Sequence, residues 1–134
     1  MIDVENQVFT ACYNAVHTLN EQAYITGTYV DAPPSFPCVS IIQENNVVVA
    51  STQDTSNQEN HASVMFEVNV YSNKESGKKA ECKALLSCVD NVLAKYNFTR
   101  IMASVVPNIA DASIYRMTAR YTAIVGKNET IYRG

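Results

Sequence analysis

From Ser113 to Val125 the chain reads SIYRMTARYTAIV, and its side chains alternate between two sets. Tyr115, Met117, Ala119, Tyr121, Ala123 and Val125 fall on one side of a strand, and Ile114, Arg116, Thr118, Arg120, Thr122 and Ile124 on the other. At a rise of about 3.3 Å per residue this run spans roughly 43 Å, about twice an ordinary strand. A strand so long and so two-faced requires a sheet with a core on one side, and it outruns that core. A second run, Ala62 to Asn73, repeats the pattern with Val64, Phe66, Val68 and Val70 on one face and Met65, Glu67, Asn69 and Tyr71 on the other. One face of this strand is core and the other is partly polar.

The remaining elements are read against these two strands. Asp3 to Asn20 has Val4, Val8, Ala11, Cys12, Ala15 and Leu19 at helical spacing and no Pro or Gly, with Asp3 fit to cap it. Gly27 to Pro37 holds three prolines and reads as a stiff extended linker. Cys38 to Gln43 is a strand, and the Asn45-Asn46 pair before Val47 to Ala50 signals a turn into a returning or continuing strand. Ser51 to Asn60 has no apolar side chain beyond its threonine methyls and reads as a mobile polar loop, at about 51–61. After Ser76-Gly77 a helix runs to about Tyr96 on the stripe Cys82, Leu85, Leu86, Val89, Val92, Leu93 and Tyr96. Phe98 to Val106 and the long strand then form a hairpin, and Thr130 to Arg133 adds a strand edge or reaches a neighbour. The predicted fold is α+β in the order α-β-β-α-β-β, two helices packed on one face of a mostly antiparallel sheet.

At 134 residues with 47% hydrophobic side chains, the chain suits one domain spanning 1–134. Its start, MIDVENQVF, lacks the basic and then apolar run of a secretory signal, and no apolar stretch is long enough to cross a bilayer, so a soluble cytosolic chain without membrane contact is expected. Cys12, Cys38, Cys82 and Cys88 contain no C-x-x-C pair, and a helix points Cys82 and Cys88 some 120° apart, so buried reduced thiols are expected and not a metal site. Charge is distributed unevenly. Residues 1–73 have acids and no Lys or Arg, whereas residues 74–134 hold all ten basic residues against Glu75, Glu81, Asp90, Asp111 and Glu129. Folding either separates these halves into faces of opposite sign, which favours head-to-tail association, or interleaves them and cancels the field.

Catalytic signatures are missing from the chain. It has no G-x-S-x-G, Walker, dinucleotide or H-E-x-x-H pattern, and glycines at 27, 77, 126 and 134 build no phosphate cradle. No catalytic residue, cofactor or metal is therefore expected, and no enzymatic activity. The net charge of −3 argues against binding a nucleic-acid backbone. An arginine row between threonines more often meets carboxylates at a protein interface.

Five segments carry a resemblance: FPCVSIIQE (Phe36–Glu44), FEVNVYSN (Phe66–Asn73), VDNVLAKYNF (Val89–Phe98), PNIADASIYRMTARYTAIV (Pro107–Val125) and IYR (Ile131–Arg133). From Pro34 onward the chain resembles the tail terminator, or tail-completion, proteins of long-tailed bacteriophages. The resemblance implies a structural virion protein assembled in the host cytoplasm and located at the tail-neck junction. Such a protein forms a hexameric ring on the head-proximal end of the tail tube, stops tube growth and presents a docking surface to the head connector. Its implied partners are other copies of itself, the tail tube protein and a head-side connector or stopper, with genomic DNA passing through the channel without specific binding. In that setting Glu44, Asp54 and Glu59 would face the channel or a partner, and Arg116 and Arg120 would contact the neighbouring subunit. A head-closure or adaptor ring of the same neck, and a cytosolic binding module unrelated to phage, are the alternatives.

Overall fold

The computed structural model describes residues 2–30, 32–48, 61–107, 112–126, 128 and 130–133. Its elements run α1 (Glu5–Leu19), β1 (Tyr24–Thr26), β2 (Cys38–Val48), β3 (His61–Ser72), α2 (Lys78–Lys95), β4 (Thr99–Val105), β5 (Tyr115–Gly126) and β6 (Ile131–Arg133). The class is α+β as expected, but the order α-β-β-α-β-β is corrected: three strands precede α2 and three follow it. The additional elements, β1 and β6, have three residues each, too few to show a periodicity; β6 is the strand edge that Thr130 to Arg133 offered.

One sheet holds the strands in the order β1-β2-β3-β5-β4, with β6 continuing the β4 edge along the far end of β5. Every pairing is antiparallel except β1 with β2. β2 continues through Asn45-Asn46 instead of turning. Gln43 faces Phe66 and Asn45 faces Met65, so Glu44 is the extra residue of a bulge. β5 lies inside the sheet, between β3 on one side and β4 and β6 on the other.

Both helices share a core with one face of the sheet. Val64, Phe66, Val68 and Val70 from β3 and Ala119, Tyr121, Ala123 and Val125 from β5 are buried there, as their alternation predicts. Full burial of each valine contributes about 1.5–3 kcal/mol. Phe66 and Phe98 meet edge to face at 5.4 Å. α1 begins at Glu5, not Asp3. Asp3 Oδ1 accepts a hydrogen bond from the Glu5 amide at 2.9 Å, and Val4 stands at the cap. Its buried stripe is Val8, Cys12 and Val16; Leu19, expected in the stripe, is 54% exposed because the helix ends there.

α2 buries Cys82, Leu85, Leu86, Val89 and Leu93, with Val92 and Tyr96 packed beside them. Gly77 opens the helix at φ 90°, a conformation that strains any residue with a Cβ. Asn97 leaves it at φ 67° and donates from Nδ2 to the Ile131 carbonyl at 2.9 Å, which anchors β6. Asp90 on α2 accepts from Tyr121 Oη at 2.8 Å and pairs with Arg100 at 3.3 Å, tying the helix to β5 and β4. No described helix is long and apolar enough to cross a membrane.

Candidate functional site

The sheet's second face, opposite the helices, carries the polar half of both alternating strands. Register sets Tyr71 opposite Arg116, Asn69 opposite Thr118 and Glu67 opposite Arg120. These pairs make a connected cluster. Asn69 Oδ1 accepts from Thr118 Oγ1 at 2.6 Å and from Arg116 Nη2 and Nε at 2.8 and 3.2 Å. The Arg116 guanidinium lies 5.3 Å from the centre of the Tyr71 ring, within cation–π range. Arg120 reaches Glu67 Oε1 at 3.6 Å and Glu44 Oε2 at 3.5 Å. Neither distance is accompanied by a well-aligned hydrogen bond from Arg120 Nε, so the attraction there is mainly charge to charge.

The linker covers part of this face. Tyr29 Oη donates to Glu67 Oε2 at 3.1 Å, and Tyr71 Oη donates to the Val30 carbonyl at 3.5 Å. The bond to Glu67 raises the Tyr29 phenol above its ordinary pKa, because ionising it would place two anions together. Under this cover Glu67, Asn69, Tyr71 and Thr118 are buried, while the Arg120 side chain keeps 44% exposure. The result is a charge-balanced patch with buried acceptors and half-exposed arginine tips.

The structure brings three of the five predicted residues onto this face. Glu44, in the bulge, pairs with Arg120; Arg116 sits four residues earlier on β5, held by Asn69. Asp54 and Glu59, with the rest of the polar stretch 51–60, lie outside the described residues, and His61 opens β3. Sequence reading did not assign Tyr29, Glu67, Asn69, Tyr71 and Thr118 to this site. Alternation puts the last four on the polar face, but only the register shows which arginine each one meets.

The charge halves both interleave and separate. Arg120 crosses to acids of the first half, so the middle of the sheet is neutralised. The flanks are not: α1, β1 and β2 contain no Lys or Arg, and α2 with β4 carries Lys78, Lys79, Lys83, Lys95 and Arg100. Lys78, at the start of α2 where a cation opposes the helix dipole, donates to the Ser113 carbonyl at 3.2 Å and tethers the approach to β5.

Cys12, Cys38 and Cys82 are free and buried, and Cys88 is partly so. Burial pushes the Cys12 and Cys82 thiols up to about 12 and Cys38 to about 11. Among the described residues no group of His, Cys, Asp and Glu is arranged to hold a metal ion.

No family model matches the chain, and no curated protein matches it. Solved structures do. One of them, from the virion of a native gene transfer agent particle, superposes with a TM-score of 0.57 at 15% identity, over 85% of this chain and 90% of that chain. The near-complete cover of both chains shows a shared fold, the two-helix α+β arrangement around one mostly antiparallel sheet. The fold is thus one used within a virion.

Proposed function

We propose that the protein is a structural virion component, a tail terminator that forms a ring on the head-proximal end of a phage tail tube. It stops tube polymerisation and offers the head connector a docking surface. The observation that carries this reading is the fold shared, over nearly the whole of both chains, with a component of a gene transfer agent virion. The strand wording described above supplies the finer assignment within the virion. The protein acts by assembly and not by catalysis.

In this role the sheet's second face is a contact and channel-side surface. Glu44, with Asp54 and Glu59, faces the path of DNA; Arg120 balances Glu44, so the net negative charge that lets the backbone slide without sticking comes from Asp54 and Glu59. Arg116 and Arg120, already positioned by Asn69 and Glu67, present their outer guanidinium edges to the neighbouring subunit. The decisive test adds the protein to polymerising subunits of the cognate tail tube protein and measures tube length by electron microscopy. Shortened tubes with a ring at one end are expected. An unchanged length distribution with bare ends refutes the reading.

A further inference from the structure

We propose that copies of this protein join edge to edge, with β4 of one subunit pairing antiparallel to the free stretch of β2 in the next. This proposal rests on the ring reading above and names the surface that builds the ring. Both edges have unpaired backbone. β1 covers β2 only along Cys38 to Ser40; among the described residues no strand pairs with the stretch from Ile42 to Val48 on that side, and Asn46 within it donates from its side chain to the Ile2 carbonyl at 2.7 Å. β4, seven residues long, likewise has β5 on one side and, among the described residues, no strand on the other, and Ile42 to Val48 equals it in length.

The hydrogen-bond phase gives β4 outward donors. The Val106 amide donates to Arg116 O, so the amides of Ser104 and Met102 point inward by alternation, and those of Ala103 and Val105 point out. Soluble proteins usually protect such an edge with charge or proline. β4 reads TRIMASV, and its one charged side chain, Arg100, is bound to Asp90. Exposed aliphatic side chains stand on the same two edges: Ile101 at 51% and Val105 at 50% on β4, and Val47 at 50% on β2. Their surroundings differ in sign: on the β2 side Asp3, Glu5, Glu21 and Glu44 stand with no Lys or Arg, whereas α2 with β4 carries Lys78, Lys79, Lys83, Lys95 and Arg100 against Glu81 and Asp90. That complementarity selects a second copy as the occupant and favours head-to-tail contact.

Direction agrees with this. β2 and β5 run the same way and β4 runs opposite, so a rotated copy laid beside the first continues the antiparallel order. Neighbouring strands lie about 4.8 Å apart. Within one chain Arg120 reaches Glu44 across one intervening strand, β3. Across the seam the next copy's Glu44 stands at the same remove from Arg116 and Arg120, with β4 intervening. The arginine row thus serves its own chain and its neighbour through one spacing.

Hydrogen exchange by mass spectrometry tests the seam on the full chain, diluted and concentrated, alongside native mass measurement. On assembly, peptides covering residues 99–106 and 42–48 are expected to gain protection together. Ala103→Pro removes an outward amide and should weaken assembly at least tenfold. Val105→Lys leaves the backbone unchanged and should do the same if the proline variant fails to fold. Rings that form with protection elsewhere, or equally well in Val105→Lys, overturn the edge pairing and leave the terminator reading intact. Edge-paired rings that do not shorten tubes refute the terminator reading and support the seam. A wild-type chain that stays monomeric when concentrated overturns the seam.

Discussion

Replacing Asn69 with alanine removes one oxygen that accepts three hydrogen bonds, and the structure sets what each loss costs. Thr118 is 5% exposed and its hydroxyl, 2.6 Å from Asn69 Oδ1, has no water to turn to. A buried donor left unpaired costs about 1–3 kcal/mol. Arg116 is half-buried and can re-solvate its guanidinium while staying on the Tyr71 ring, so its two bonds add only about 1 kcal/mol. Asn69→Ala should therefore destabilise the monomer by about 2–4 kcal/mol. With a urea m-value of about 2 kcal/mol/M, the unfolding midpoint falls by about 1–2 M. The measurement is equilibrium unfolding in urea followed by far-ultraviolet circular dichroism. Adding Thr118→Val removes the stranded hydroxyl and should recover about 1–2 kcal/mol, because the cost is desolvation and not a lost contact. A loss below about 0.5 kcal/mol, or a double variant no better than the single, refutes the view that Asn69 organises this face.

Reversing Arg120 to glutamate places a third carboxylate beside Glu67, whose side chain is only 7% exposed, and Glu44. From the sequence alone this reversal, made together with Arg116, is expected to leave folding intact; the structure predicts a loss of about 2–4 kcal/mol, partly restored by Glu67→Gln, in the same urea assay. Alkaline stability is a further test. The folded chain holds the Cys12 and Cys82 protons to about pH 12 and that of Cys38 to about 11, whereas the unfolded thiols ionise near 9. Stability is thus full below pH 9 and falls as pH rises toward 12, by at most about 1.4 kcal/mol per pH unit for each thiol. Cys12→Val should flatten that slope in unfolding curves taken from pH 8 to 11. Thiol labelling at pH 8 should modify Cys88 first and the other three only on unfolding, as their burial dictates. Assembly should weaken between about 50 and 500 mM salt, because the flank charges are screened beyond a few ångströms; salt-indifferent association means apolar edge contacts dominate.

The parts of the fold legible in the sequence are those where one face must be apolar. β3 and β5 alternate because helices cover one side of each, and α2 shows its stripe for the same reason. β1 could not be seen as a separate strand, since three residues leave no period to read, whereas β6 is the strand edge that Thr130 to Arg133 offered beside a reach to a neighbour. At Asn45-Asn46 the turn signal left a returning or a continuing strand open, and the bulge at Glu44 let one strand continue. The polar face was legible as polar, yet its wiring was not. That Glu67 lies opposite Arg120 and Asn69 opposite Thr118 depends on register between strands more than forty residues apart, which no local pattern encodes. The linker's role in covering Glu67 was hidden likewise, because Tyr29 finds it only after the sheet exists.

The interior position of β5 bears on the order in which the subunit is made. Its partners on β3 lie 43 (Ser72 and Tyr115) to 65 (His61 and Gly126) residues back along the chain, so this pairing closes a long loop and comes late. Until β5 leaves the ribosome, Phe66 and its neighbours on β3 lack one wall of their core, and β4 has no strand to pair with. A chain cut short before Tyr115 forms neither β4's ladder nor the arginine row. Such a truncated chain lacks β5 and with it both the wall that closes the core and the polar face built on Arg116 and Arg120.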